Sequence, residues 1–340
     1  MKITTTILSI GLLISGKSFC QDLHFSQFFN SPLTTNPANT GFIPDADYRL
    51  GAHYRSQYNT IMAEPYKTFS IFGDAQVFRD RFENGWMGLG AVLLRDEAGS
   101  GGLISTKAYA SLAYHQMLGY SSLLTAGFNL GWANKRIDQS KLKFPDQFDG
   151  SFFDNTLPTS VVLLNNNVSY FDMQAGLNYA YFPTELVYVN AGYSIHHVNR
   201  PRETFFADAG SDSSRLAVRH IGFLNAIIKI ADDVIINPNA YFTMQAKAHE
   251  FALGINAAID LSGNGAKQLL AGLYYRLGDA VIPMVGLELN NIRFTISYDV
   301  TTSSLRQFNA SRGASEFNIL KKGFYNEFQG NVRQTLCPSF

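Results

Sequence analysis

The chain has 340 residues, of which 46% are hydrophobic, 14% aromatic and only 16% charged, whereas soluble domains carry about 25% charged residues. Its 27 basic and 27 acidic residues balance, which argues against a protein that binds nucleic acid through a basic face. With 17 Tyr, 27 Phe and 2 Trp it is also too aromatic for a disordered chain.

The first residues have the pattern of a secretory signal peptide. Lys2 precedes an apolar stretch from Ile7 to Ile14, and Ser18 and Cys20 are small residues at the expected cleavage positions. We expect cleavage after about Cys20, the alternative being an N-terminal strand or anchor helix. Only Cys337 would then remain, so the mature chain could form no internal disulfide.

The rest of the chain alternates between apolar and polar residues with a period of two. Phe294, Ile296 and Tyr298, for example, alternate with Thr295 and Ser297. Helical spacing is not seen over comparable lengths, and no run of 18 apolar residues could form a membrane-spanning helix. The pattern predicts an all-β chain with strands near 47–59, 66–78, 85–95, 103–118, 122–134, 168–182, 186–198, 216–230, 234–245, 248–261, 267–277, 281–289, 291–301 and 314–322.

These fourteen segments match the roughly 9–11 residues that a tilted strand needs to cross a bilayer. The long connections 135–167, 199–215 and 302–313 all follow odd-numbered strands, whereas tight turns follow even-numbered ones. Long loops at one end and short turns at the other are typical of outer-membrane barrels. We therefore predict a single-domain, antiparallel transmembrane β-barrel, with a soluble sandwich or lipocalin-like barrel as the alternative.

The polar face of the predicted strands, which would line the lumen, is rich in glycine. Glycine within a strand marks a bend or a close approach of another backbone. The glycines could make room for large inward side chains such as Tyr109, Tyr274 and Arg276, or they could admit a plug or a partner segment. The predicted lumen-facing glycines are Gly88, Gly90, Gly127, Gly131, Gly176, Gly192, Gly222, Gly254, Gly272 and Gly286.

The sequence shows no motif for catalysis, metal binding or a cofactor. His196 and His197 are adjacent on a predicted strand and would point to opposite faces, so they could not chelate one metal ion together. No G-x-S-x-G nucleophile motif is present. We therefore expect a protein without enzymatic activity and without a cofactor.

Several segments resemble the PorP/SprF family of Bacteroidetes outer-membrane proteins, which belong to the type IX secretion system and the gliding apparatus. The resemblance lies in SQFFNSPLTTNPANTG (residues 26–41), YRSQY (54–58), GLGAVLLRDEAG (88–99), GYSIHHVNRPRETF (192–205) and the ending CPSF (337–340). Tyr58 and Ser339 stand where the family usually has tryptophan and a basic residue. In this order and spacing the segments cover nearly the whole mature chain.

The resemblance implies a role in protein export or in anchoring large adhesins and other cargo at the cell surface. The implied partners are a secreted cargo protein with a C-terminal sorting domain, the type IX secretion machinery and outer-membrane lipid; no nucleic acid is implied. The alternative function is an outer-membrane porin or small-solute channel, whose lumen would carry rings of opposed charges. An outer-membrane hydrolase would lack its nucleophile.

The resemblance also suggests the organisation and the candidate sites. We expect a signal peptide at 1–20, a periplasmic or luminal lead-in at 21–46, the barrel at 47–323 and a C-terminal tail at 324–340. Motif residues outside the repetitive barrel wall point to local folding or to recognition. The candidates for partner binding are Asn36, Pro37, Ala38, Gly41, His197, Asn199, Arg200 and Pro201, with a candidate tail motif at Cys337, Pro338 and Phe340.

Overall fold

The computed structural model describes residues 25–325 except 80, 143, 155, 162, 164 and 207–213. It contains the expected fourteen strands, most with boundaries within about two residues of those predicted. They are β1 Tyr48–Gln57, β2 Tyr66–Val77, β3 Gly85–Ala98, β4 Leu103–Met117, β5 Ser122–Arg136, β6 Asn167–Thr184, β7 Val187–His196, β8 Arg219–Ala231, β9 Val234–Gln245, β10 Ala248–Asp260, β11 Lys267–Arg276, β12 Ala280–Leu289, β13 Ile292–Thr301 and β14 Arg312–Gly323.

The strands form one closed antiparallel barrel in which each pairs with its neighbours in sequence. Closure comes from β1 and β14, which pair from Tyr48 opposite Gly323 to Gln57 opposite Ala314. Closing the sheet leaves no unpaired strand edge, which is what a strand-built structure needs in lipid. The predicted all-β barrel is therefore confirmed.

The outer surface is apolar and the inner surface polar, because neighbouring residues of a strand point to opposite faces. Phe294 is 57% exposed on the outside, whereas the adjacent Thr295 is 1% exposed on the inside. The same alternation recurs around the barrel and gives a continuous apolar exterior of the kind that lipid covers. Among the described residues, no helix is long and apolar enough to span a membrane.

The two ends of the barrel differ. One end, the loop side, carries the connections that follow odd-numbered strands, including 137–166 and 197–218. The other end, the turn side, carries short turns such as Asn290–Asn291, both with positive φ, as a two-residue hairpin turn requires. This asymmetry shows which strand ends meet at the loop side and which meet at the turn side.

Residues 25–46, here called the plug, lie inside the barrel. The plug folds as a 3₁₀ turn at Phe28–Asn30, a short helix α1 at Pro32–Thr35 and a second 3₁₀ turn at Pro37–Asn39. Proline stands at the first position of α1 and of the second turn, where its missing N–H costs nothing. The plug side chains are mostly buried by the barrel wall.

Candidate functional site

The plug passes through the lumen from the loop side to the turn side. Ser26 lies beside Arg55 and Arg276, which are at or near the loop-side ends of β1 and β11. At the opposite end, the indole of Trp86, near the start of β3, donates a hydrogen bond of 3.0 Å to the carbonyl of Gly41. The plug therefore fills the barrel along most of its height.

Four buried charges hold the loop-side end of the plug, and we call them the charged clamp: Arg55, Arg276, Asp299 and Glu316. Arg55 donates to Glu316 at 3.0 Å and to Asp299 at 2.9 Å, and Arg276 donates to Asp299 at 2.7 Å. All four side chains are at most 5% exposed. Buried charges need such pairing because desolvation is costly.

The clamp binds the plug through both backbone and side chain. The two oxygens of the Glu316 carboxylate accept the N–H groups of Ser26 and Gln27, each at 2.8 Å. The Ser26 hydroxyl donates to Asp299 at 2.8 Å and accepts from Arg55 at 2.6 Å. Charged hydrogen bonds of this kind are roughly twice as strong as neutral ones, so Ser26 is held rigidly.

The middle of the plug is held by contact with a row of glycines, here called the glycine track: Gly88 on β3, Gly127 on β5 and Gly176 on β6. A Cβ on any of them would come within 3.0 Å of plug atoms, which are the backbone of Thr40, the backbone of Pro37 and the side chain of Asn36, respectively. An added side chain at any of these positions would force the plug or the wall to shift. Gly41 faces Gly88 and has φ +66°, which also favours glycine.

Asn36 is fully buried and links the plug to two strands. Its side-chain amide donates to the carbonyl of Leu177 on β6 at 2.9 Å and approaches that of Tyr193 on β7 at 3.4 Å. Its side-chain oxygen accepts the N–H of Ala38 at 2.8 Å and so caps the second 3₁₀ turn. The Asn-Pro-Ala motif thus shapes the plug and anchors it to the wall.

The two interpretations of the lumen glycines apply to different positions. Gly131 and Gly254 face the rings of Tyr109 and Tyr274, so there the glycine makes room for an inward side chain. The glycine track instead admits the plug. The prediction that Gly222 faces the lumen is wrong, because Gly222 pairs with the outward-facing Tyr193 and Phe242 and lies on the outer face. A Cβ there would meet no other atom within 4 Å.

The second motif region lies at the loop side, directly after β7. His197 is 1% exposed and bonds through Nδ1 to the Asp172 carboxylate at 2.8 Å. The expectation that His196 and His197 face opposite sides is wrong, because β7 ends at His196 and His197 has φ +58°, which breaks the alternation. Both rings are buried. No three His, Cys, Asp or Glu side chains within the described ranges could hold a metal ion.

Asn199 and Arg200 are exposed at the same rim. The Asn199 side chain donates to the carbonyl of Phe171 at 2.7 Å and accepts the N–H of Met173 at 3.1 Å, so it fastens the loop to β6. Arg200 has φ +44°, and its N–H donates to the carbonyl of His197. The carbonyl of Pro201 accepts the N–H of Leu216 across the loop.

Aromatic side chains stand exposed on the loop side. They are Phe148, Phe152, Phe153, Phe206 and Phe308, with Phe152 at 75% and Phe308 at 81% exposure. In the connection that carries Phe148, Phe152 and Phe153, the backbone N–H and hydroxyl of Ser160 donate to Asp146 and lower the pKa of its carboxyl, which stays ionised at neutral pH. The loop side therefore presents exposed apolar rings, and one of its connections also presents an ionised carboxylate.

The plug motif and the β7 loop are predicted from the sequence as candidate sites, whereas the charged clamp is not. A signal was available, because alternation places Arg55, Arg276 and Asp299 on the inner face near the loop-side ends of their strands. Partner binding through the plug motif and through the loop motif stays a prediction. The tail motif of Cys337, Pro338 and Phe340 lies outside the described residues.

Comparisons with solved structures show the barrel fold. The Ralstonia pickettii toluene transporter TbuX matches with a TM-score of 0.51 at 12% identity, covering 86% of this chain and 94% of that one. The P. putida toluene transporter TodX gives 0.50 at 12% identity, with coverage of 87% and 95%. A Pseudomonas aeruginosa FadL homologue gives 0.50 at 10% identity, with coverage of 86% and 94%.

Comparison with curated proteins finds no match. The family model described as type IX secretion system membrane protein PorP/SprF matches residues 17–320, nearly the whole chain. The family resemblance of the motifs is thereby confirmed, and so is the location of the barrel in the outer membrane. The chain belongs to the PorP/SprF family of type IX secretion system membrane proteins.

Proposed function

We propose that this barrel is a non-enzymatic partner in the export or surface anchoring of large adhesins or other cargo, which it recognises through their C-terminal sorting domains. The observation that carries the proposal is the filled lumen. Because the plug occupies the barrel from the loop side to the turn side, the surfaces open to a large protein partner are the two rims. In this proposal cargo binds the loop-side rim, and the secretion machinery contacts the turn side.

The exposed rings at the loop side support this assignment. Phe152 and Phe308 are more exposed than the lipid-facing Phe294, and they belong to connections rather than to the apolar wall. Exposed apolar groups rimmed by polar ones mark protein-interaction sites, and aromatic residues are enriched at the centres of such interfaces.

The alternative is a small-solute channel. The fold resembles that of the toluene transporters TbuX and TodX, and this similarity concerns the fold alone. The plug argues against an open diffusion pore, and the inner charges form paired clusters rather than opposed rings. Ion conductance of the purified barrel in a planar bilayer separates the two functions, because a porin would conduct without removal of the plug.

The cargo role is tested by replacing the exposed rings together, as Phe152→Ser with Phe308→Ser. We expect normal membrane insertion and heat-resistant folding, with at least a several-fold loss of cargo from the cell surface measured by surface labelling. The comparison variant is Tyr120→Ser, because Tyr120 is fully exposed at the turn side. A loss of cargo in this variant and not in the double variant would place the effect at the machinery contact. Unchanged cargo display in the double variant would remove the loop side from the proposal.

The loop motif is tested separately at Arg200 and at Asn199, because the Asn199 side chain fastens the loop to β6. Arg200→Asn removes the charge while keeping a residue that tolerates positive φ. We expect it to reduce cargo display and leave barrel assembly unchanged, whereas Asn199→Ala should also loosen the loop. Cargo display at the normal level in Arg200→Asn would exclude this charge from recognition.

The orientation is tested with an epitope inserted at Asp149–Gly150 in the 137–166 connection. Intact cells should be labelled, since the proposal places the loop side outside. Labelling only after permeabilisation would reverse the orientation and move the cargo surface to the turn side.

A further inference from the structure

One side of the lumen carries a continuous chain of asparagine amides. Asn239 donates to Asn237 at 2.8 Å, Asn237 to Asn225 at 2.6 Å and Asn225 to Asn190 at 2.9 Å. The chain continues more weakly through Asn178 to Asn39 of the plug. All its donors point the same way around the wall, so an acceptor is left at its start, on Asn239.

The amide chain borders a cavity of about 250 Å³ between the plug and strands β7–β9, in the turn-side half of the lumen. A second cavity of about 190 Å³ adjoins it near β9–β12, with Asn237 and Phe29 on the walls of both. Solvent reaches this region from the turn side, since Asp45 is 38% and Arg293 26% exposed there. The plug approaches the glycine track closely on the other wall and leaves this wall open.

The cavity walls require a ligand that brings hydrogen-bond donors and no net charge. The side-chain oxygens of Asn239 and Asn256 are buried and have no hydrogen-bond partner, and Asn239 is only 5% exposed. A buried acceptor without a donor is costly. The charges at the cavity mouth are already paired, as Asp45 with Lys322 and Glu288 with Arg293, so a charged ligand gains little there.

The apolar part of the wall narrows the choice further. Phe29, Phe223 and Ile227 line the cavity opposite or beside the amides. Sugars match such a surface, because their hydroxyl groups both donate and accept hydrogen bonds while their C–H faces pack against aromatic rings. Pockets of this composition, apolar with a few placed polar groups, are typical small-ligand sites.

A peptide fits less well. Peptide segments bind proteins by extending an exposed sheet edge, by lying in an apolar groove or through charge clusters. Strands β7–β10 are paired on both sides within the closed barrel, so their backbones offer no edge. We propose that the amide-lined cavity on the turn side binds an uncharged carbohydrate unit of one or two sugar rings.

The test is a titration of the purified full-length barrel in a detergent without sugar headgroups, such as lauryldimethylamine oxide. Maltose, N,N′-diacetylchitobiose and mannobiose are the probes, and isothermal calorimetry is the measurement. We expect saturable binding of at least one probe. Asn225→Leu and Asn239→Leu should each weaken it about tenfold or more, the equivalent of one lost hydrogen bond.

Asn134→Leu is the matched control, because Asn134 makes its hydrogen bonds at the exposed loop-side end of β5. It should leave sugar affinity unchanged. Should a leucine variant fail to fold, Asn225→Ala removes the same amide without adding bulk and should weaken binding likewise. No saturable binding of any of the three sugars would overturn the proposal. So would equal losses in Asn134→Leu, or Asn225-dependent binding of an uncharged tripeptide.

Discussion

The plug is held by two regions of the barrel that work in different ways. At the loop side, the charged clamp binds Ser26 and Gln27 through charged side chains that are buried. In the middle of the lumen, the glycine track holds residues 36–41 by offering no side chains at all. The charged clamp depends on specific hydrogen-bond partners, and the glycine track depends on the absence of side chains that would occupy the space of the plug.

The difference predicts that removing a side chain disrupts the charged clamp, whereas adding one disrupts the glycine track. Removing one charge from the clamp leaves its partners buried without a compensating charge. The resulting loss of stability is far larger than the net contribution of the ion pair. Adding one methyl group to the glycine track forces two backbones apart, and the cost depends on how far the plug can move. The variants below separate these two mechanisms.

The largest effect should come from Arg55→Met. It leaves Glu316 and Asp299 with less compensation for their burial, and the free energy of unfolding in detergent should fall by about 3–5 kcal/mol. Urea titration followed by tryptophan fluorescence measures the loss. Arg95→Met removes an exposed ion pair with Glu97 and should cost less than about 1 kcal/mol. Equal losses in both would show that burial of the clamp does not matter.

Leu253→Arg tests the wall outside both attachments. Leu253 is 44% exposed on the outer face, and an arginine near the bilayer midplane should cost about 2–4 kcal/mol. The comparison variant is Asn256→Arg, since Asn256 points into the lumen and lines the cavity of about 190 Å³. Thr295→Arg is unsuitable because Thr295 donates to Gln27 of the plug. Similar stabilities of the two variants in lipid would contradict the assignment of faces.

Gly88→Ala should lower the free energy of unfolding by about 1–3 kcal/mol through overpacking against Thr40. It should also expose the plug, which chymotrypsin cleavage at Phe28 or Phe29 would report by mass spectrometry. Gly222→Ala is the control, because no other atom lies within 4 Å of the added carbon. A plug that stays protected in Gly88→Ala would mean that the wall, and not the plug, absorbs the strain.

Asn36→Ala should have the smallest effect, about 1–2 kcal/mol, because it removes one cap and one firm hydrogen bond to β6 while the glycine contacts remain. Asn166→Ala, at an exposed position in the 137–166 connection, should be nearly neutral. The measurement is again urea unfolding, with chymotrypsin protection as the second readout. A loss as large as that of Arg55→Met would show that the motif, and not the clamp, is the main anchor.

The sequence predicts the barrel well because a strand half-buried in lipid must alternate. Leu253 and Ile255 follow that rule, and so do nearly all wall residues. The plug follows no period, since its helices have only three or four residues, so its path could not be read in this way. The same limit explains His197, whose positive φ ends the alternation where the sequence still looks like a strand.

The glycines show what a single sequence leaves open. Gly88 and Gly131 both point into the lumen, yet one faces the plug and the other a tyrosine ring. Which neighbour fills the space depends on contacts distant in sequence, such as those between residue 40 and β3. The charged clamp joins Ser26 to Glu316 across almost the whole chain, which no local pattern encodes.

The direction of the plug also constrains how the molecule assembles. Its first described residue, Phe25, lies near His53 and the clamp, whereas its last residues join β1 at the opposite mouth. The ring of strands closes where β1 meets β14, and a closed ring would have to be threaded by a free end. No threading is needed if the plug takes its place before β1 pairs with β14. Pairing of β1 with β14 then encloses the plug, so a strand near the end of the described residues completes the barrel around the segment that precedes β1.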